Sequence, residues 1–257
     1  MITADGTPNR TRIARSAADT ERLAASARTL PVLDGRVERC RACPRLVQWR
    51  EEVARTKRRA FADQTYWGRP VAGFGPADSR IAVLGLAPAA HGANRTGRIF
   101  TGDRSGDWLF ASLYRVGLAN QPTSVSSDDG LRLNDIRIIS AVRCAPPANV
   151  PTPTERDTCS PWFERELALL WPTLRVVVVL GGFGWSALWP ALGRAAVTVP
   201  ARRPAFAHGA EVSVPRADGA PFTVLGCYHV SQQNTFTGRL TEPMLDAVFT
   251  RAIERAG

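Results

Sequence analysis

"RIAVLGLAPAAHGANRTGRIFTGD", residues 80–103, decides the fold. Its first part is apolar on consecutive residues. That pattern suits a strand covered on both faces, because a strand with one wet face alternates. The chain then turns into glycines, alanines and a proline, with a histidine, an asparagine and two arginines among them. An ordinary connection does not need so many small residues. Small residues let another group approach the backbone closely.

Three further runs repeat the strand signal: "IRIISAV" at 136–142, "RVVVVLGG" at 175–182 and "FTVLGCYH" at 222–229. Helical patterns lie between them at 105–118, 154–172 and 183–192. Strand–helix alternation predicts an α/β protein, a three-layer α/β/α sandwich around a central four-stranded parallel sheet. Ligands of such sheets bind outside the carboxyl ends of the strands. Three of the four runs lead into unusual segments there, at 85–103, 143–153 and 229–239. Residues 37–60 read as a charged helix behind a cysteine pair, and 193–221 as loop. Residues 1–30 carry little pattern and are expected to be a mobile lead to a single domain over 31–257.

The chain has 257 residues, 44% of them hydrophobic, which is enough for a sizeable core. Lys plus Arg number 33 against 23 acidic residues, a formal charge of +10, and nearly all of the positive charge is arginine. A planar guanidinium suits phosphate, so the excess points to polyanions. A compositional habit for arginine would produce the same excess. No apolar stretch reaches the roughly 18 residues of a membrane span. The opening residues lack the apolar segment of a secretory leader. A cytoplasmic protein is expected, nucleoid-associated in a prokaryote, with no membrane partner.

Disulfides are rare in that compartment, so the five cysteines need another reading. Cys40 and Cys43 form C-x2-C, and Cys144 and Cys159 are separated by fourteen residues. Two such pairs can complete a four-sulfur site. Spacing alone leaves an iron–sulfur cluster, zinc or incidental buried thiols open. Cys227 lies inside a strand run and reads as core.

Three segments together, "GLAPAAHGANRTGRIFTGD", "RCAPPANVPTP" and "HVSQQNTFTGRLT", with C-x2-C…C-x14-C, resemble the family 5 (type b) uracil-DNA glycosylases. The resemblance covers residues from about 37 to 250. It implies the α/β/α fold, a [4Fe–4S] cluster on Cys40, Cys43, Cys144 and Cys159, and excision of uracil from DNA by hydrolysis of the N-glycosidic bond. It also implies activity on other deaminated bases such as hypoxanthine. The partner is then DNA containing such bases, met by a monomer.

A glycosylase flips a nucleotide into a fitted pocket and stabilises the departing base as an anion. The expected catalytic residues are Asp103, His229 and Asn149. His229 would donate to a base carbonyl and Asn149 would read the base edge. Asp103 would assist with water or the sugar cation, and it equally suits a helix cap. Gly85, Ala87 and Ala89 would leave room for base and sugar, and Phe100 would stack under the base. Ser231, Asn234 and Arg239 would contact DNA, with Arg95 and Arg98 as further phosphate contacts. Leu86 and Ala87 stand where many related families carry an acidic or amide group. His91 and Asn94 are then secondary candidates to hold water. A binding module of the same fold without turnover is the competing reading. A zinc base deaminase lacks support, since no H-x-E is present to pair with a P-C-x2-C.

Overall fold

The protein is described here by a computed structural model covering residues 13–194, 197–216, 219 and 221–257. The chain begins with α1 (Ala17–Ala25), α2 (Leu30–Val37) and α3 (Pro44–Thr56). Strand β1 (Ile81–Gly85) follows, then the short α4 (Ala93–Thr96) and α5 (Arg104–Arg115). Next come β2 (Ile136–Ser140), α6 (Pro153–Leu170), β3 (Val176–Leu180) and α7 (Gly181–Arg194). Strands β4 (Glu211–Pro215) and β5 (Pro221–Cys227) precede α8 (Gln232–Phe236) and α9 (Glu242–Ala256).

The strand order is β2-β1-β3-β5-β4. The first four are parallel, with Gly85 opposite Ser140, Val83 opposite Val178 and Leu180 opposite Cys227. They correspond to the four apolar runs. Every residue of β1, β2 and β3 is buried. Successive side chains feed opposite cores: Ala82 and Leu84 join Val177, Val179 and the helices α1, α2 and α6. Ile81 and Val83 join Val176, Val178 and the helices α5 and α9. Two cores on two faces explain the consecutive apolar pattern.

Two expectations need correction. Among the described residues the sheet has five strands, not four. β4 pairs antiparallel with β5 inside the stretch read as loop. It is a mostly exposed edge strand whose only fully buried side chain is Val214, so it carries no apolar run. The expected mobile lead does not extend to residue 30. Residues 1–12 lie outside the described residues, but α1 is capped by Ser16 and packs Leu23 and Ala24 into the core beside α6.

One helix start shows how the local chemistry fixes the elements near the site. Thr152 accepts from the Glu155 N–H at 3.2 Å and the Glu155 carboxylate accepts from the Thr152 N–H at 2.8 Å, a reciprocal cap that begins α6. Arg45 of α3 also pairs with Glu155 at 2.6 Å. The end of the loop after β2 is thereby tied to the N-terminal helices.

Candidate active site

The loops after β1, β2 and β5 meet in a cleft of about 260 Å³ at the carboxyl ends of the parallel strands. Seven of the ten residues expected at the site line it: Ala87, Ala89, Phe100, Asp103, Asn149, His229 and Ser231. Leu86 lines it too. Ile99 and Ser105 also line it and were not anticipated. Ile99 reads as an ordinary core residue. Ser105 opens the helical pattern at 105–118.

Gly85, Asn234 and Arg239 do not line the cleft. Gly85 lies beneath Phe100: a Cβ there would stand 3.0 Å from the ring. Asn234 acts on the backbone, donating through Nδ2 to the His229 carbonyl at 2.8 Å. Arg239 is exposed, its guanidinium 4.5 Å from the centre of the Tyr228 ring.

The backbone is strained around the cleft. Phe100 (φ 52°), Ala148 (φ 53°) and Asn149 (φ 58°) occupy the left-handed region without being glycine. Such residues persist only where the surroundings over-determine them. Phe100 is held by its neighbours. Its carbonyl crowds Gly106, where a Cβ would come within 1.8 Å of it, and its ring packs on Gly85. Asn149 sits exposed at the cleft mouth in a single 3-10 turn.

His229 lies two residues beyond the end of β5. Its ring lies 6.1 Å from that of Phe100, tilted by 39°. Burial pushes its pKa down to about 4, so at neutral pH the imidazole is uncharged and carries one N–H. Gly181 (φ 85°) lets β3 turn at once into α7 beside it. A Cβ at Gly181 would stand 3.3 Å from the Cβ of His229.

Asp103 is both a cap and a cleft residue. As N-cap of α5 its Oδ1 accepts from the Gly106 N–H at 3.0 Å, while Oδ2 lies over Gly92. Burial raises its pKa, opposed by the N–H groups of Gly106 and Ser105.

The expectations for Arg95, Arg98, Asn94 and His91 change. Arg95 is buried and donates to the carbonyls of His91 and Gly102 and to Gln64. Arg98 is buried against Asp129 at 2.7 Å, with Ser124 and Thr101 as further partners. Both hold the loop after β1 in shape instead of facing solvent. Asn94 is fully buried and donates to the Arg50 carbonyl at 3.2 Å. His91 pairs with the Tyr66 hydroxyl at 3.1 Å. Neither lines the cleft.

Cys40, Cys43, Cys144 and Cys159 line one small cavity separate from the cleft, brought together from three segments of chain. Arg50 donates to the Cys144 sulfur at 2.8 Å, and the Arg143 backbone N–H to the Cys159 sulfur at 3.3 Å. Burial pushes the Cys43 thiol up to about 12 and Cys144 up to about 11. Among the described residues, no three His, Cys, Asp or Glu side chains are arranged to hold a single ion. Cys227 is buried in β5, apart from this group.

Residues 72–253 match the uracil DNA glycosylase superfamily, and the chain belongs to it. Within that superfamily it is more similar to the type-5 enzymes than to the type-4 enzyme of Thermotoga maritima, to which it is 27% identical over 77% of this chain and 76% of the relative. It is 56% identical to the type-5 uracil-DNA glycosylase of Mycobacterium tuberculosis over 235 residues, 91% of this chain and 85% of the relative. It is 54% identical to that of Mycobacterium leprae, over 91% of this chain and 99% of the relative. For Thermus thermophilus the identity is 49%, over 85% and 94%.

Proposed function

We propose that this chain is a monofunctional DNA glycosylase that flips uracil out of DNA and hydrolyses its N-glycosidic bond, the first step of base-excision repair. The observation that carries this reading is the cleft itself. Loops from three separate strands place an aromatic ring, an amide, a neutral histidine and a carboxylate around one base-sized space. Superfamily membership and the type-5 relatives support it.

The roles follow from the positions. Phe100 stacks under the flipped base on the floor that Gly85 leaves open. Asn149, at the mouth, offers donor and acceptor together and reads the base edge. His229, neutral at pH 7, donates its N–H to the oxygen on which charge develops as the base departs. A donor preset in a water-poor cleft is worth far more than in water. The Asn234 bond to the His229 carbonyl fixes where that donor points. Asp103 faces the sugar cation or its attacking water with Oδ2, while Oδ1 stays bound to α5. Ala87 and Ala89 keep room for the sugar, and Ser231 and Arg239 contact the DNA backbone. The apolar lining also suits other deaminated bases such as hypoxanthine. DNA as substrate implies work at the nucleoid.

The four cysteines fit a [4Fe–4S] cluster. Arg50, which donates to the Cys144 sulfur, has its Nε buried without a hydrogen-bond partner among the described residues. A buried donor left unpaired costs about 1–3 kcal/mol, and sulfide and thiolate sulfurs are acceptors that remove that cost. When bound, the cluster supplies a cross-link, with Cys40 and Cys43 before α3, Cys144 after β2 and Cys159 in α6 as its holders.

The deciding experiment incubates the protein with a uracil-containing duplex and heats the product in alkali. Strand breakage at the uracil is expected. Specific binding with no breakage would replace the enzyme reading with that of a binding module.

A further inference from the structure

The net charge of +10 hides an uneven distribution of arginines. Many are consumed within the fold, as in Arg137 and Arg143 on Glu166, Arg98 on Asp129, Arg115 on Asp246 and Arg251 on Glu211. Two exposed arginines are handled differently. Arg69 and Arg239 have no acidic partner among the described residues, and each guanidinium lies over an aromatic face.

Arg69 stands 3.6 Å from the centre of the Trp67 ring. Trp67 is itself anchored at three points. Its backbone N–H donates to the Arg95 carbonyl at 2.9 Å and its indole N–H to the Pro70 carbonyl at 2.9 Å. Its ring packs on Gly97, which has no Cβ to stop it. Two residues beyond Arg69, the Val71 N–H donates to the Arg143 carbonyl at 2.7 Å. Arg69 is therefore fixed where the loops after β1 and β2 meet. Arg239 is fixed over Tyr228, the neighbour of His229, on the β5 side. The cleft opens between those two sets of loops.

Stacking a guanidinium on an indole leaves its N–H edge facing outward and limits its rotamers. Such a fork loses little freedom on meeting a planar or tetrahedral oxyanion. Arg58 and Arg59, also exposed and unpaired among the described residues, add charge on the same flank. We propose that Arg69, held on Trp67, binds a backbone phosphate of the DNA flanking the flipped nucleotide on the β1–β2 side of the cleft, opposite Arg239. The inference rests on the glycosylase reading for its partner. It adds a contact outside the three segments that carry the family resemblance.

The test measures affinity for undamaged duplex DNA against salt, so it does not depend on excision. Each phosphate neutralised adds about −0.9 to the slope of log affinity against log salt. Arg69→Ala and Arg69→Gln should each flatten the slope by about 0.9, lowering affinity about threefold more at 50 mM than at 200 mM salt. Arg69→Lys keeps the charge and should keep the slope. Arg132→Ala is the control: it is an exposed arginine at the opposite, amino end of the strands, and its slope should match the parent. An unchanged slope in both Arg69→Ala and Arg69→Gln would overturn this contact while leaving the glycosylase reading intact. A parent protein that binds with the expected salt slope but leaves uracil in place would fail as a glycosylase and still test Arg69. A parent protein with a flat salt response overturns both.

Discussion

The cleft and the cysteine cavity hang on the same loop, with Cys144 and Asn149 five residues apart, yet they are built by opposite means. The cleft is open, about 260 Å³, and its backbone is strained at Phe100, Ala148 and Asn149. The cavity is closed to about 10 Å³, and it buries ionisable groups at Cys40, Cys144, Arg50 and Arg143. One site spends stability to hold space open for a visitor. The other spends it to hold polar groups around a fixed position. On the proposed reading, the cleft is where a substrate comes and goes and the cavity is where a resident group sits.

The sharpest way to break this contrast lies in the cavity. With the proposed cluster bound, purified protein should be yellow-brown, and Cys144→Ser should abolish that colour or prevent folding, because the cluster would cross-link α3, α6 and the loop after β2. Iron and acid-labile sulfide assays on the parent, with melting curves on the variant, check it. Cys227→Ser should keep the colour. A stable, colourless parent containing only zinc would remove the cluster and with it the idea of a resident group of that kind.

In the cleft the largest effect belongs to His229. Losing one donor aimed at a developing oxyanion typically costs about 100- to 1,000-fold in rate, or roughly 3–4 kcal/mol. His229→Ala should slow single-turnover excision by that order while DNA affinity falls little. The pH dependence has a definite sign. Because the folded pKa lies near 4, His229 stays neutral as pH falls through its ordinary value of 6.5. The parent-to-variant rate ratio should therefore stay level from about pH 8 down to about pH 5.5, and shrink only below that. An inflection in that ratio near 6.5 would count against a neutral donor.

Asp103→Asn separates the two duties of one carboxylate. Asparagine caps nearly as well, so the melting temperature should stay close to the parent's. The excision rate should nevertheless fall, since the negative charge facing the cleft is gone. An unchanged rate would leave Asp103 as a cap alone. The smallest effect is expected from Gly85→Ala. The new Cβ meets the Phe100 ring at 3.0–3.1 Å, so the ring must shift by a few tenths of an ångström. Overpacking of this kind costs about 1–3 kcal/mol. A lower melting temperature should accompany weaker discrimination among bases.

The parallel strands were legible because burial on both faces writes a continuous apolar run that needs no tertiary knowledge to read. β4 was not, because an exposed edge strand writes almost no pattern. α1 was missed for a related reason: three buried positions in a short helix are too few to stand out among polar residues. In the site, Asn149, His229, Phe100 and Asp103 could be named from the three motif segments, and the structure brings all four to one cleft. The direction in which a long side chain turns could not be read. Arg95 and Arg98 share a motif with the cleft residues but face inward, because Gln64 and Asp129 reach them from distant parts of the chain. Arg69 carries no local signal at all, since its setting comes from Trp67 packing on Gly97.

The sequence by itself determined which segments become central strands, which loops carry the reactive side chains, and which cysteines have the spacing for a shared centre. These are local patterns, fixed by burial periodicity and residue chemistry. Only the tertiary structure decided which arginines face solvent, that Asp103 serves cap and cleft together, and that the left-handed backbone at Phe100 and Asn149 holds the space between them. Those outcomes depend on contacts between residues far apart in the chain, and a linear pattern contains no distances.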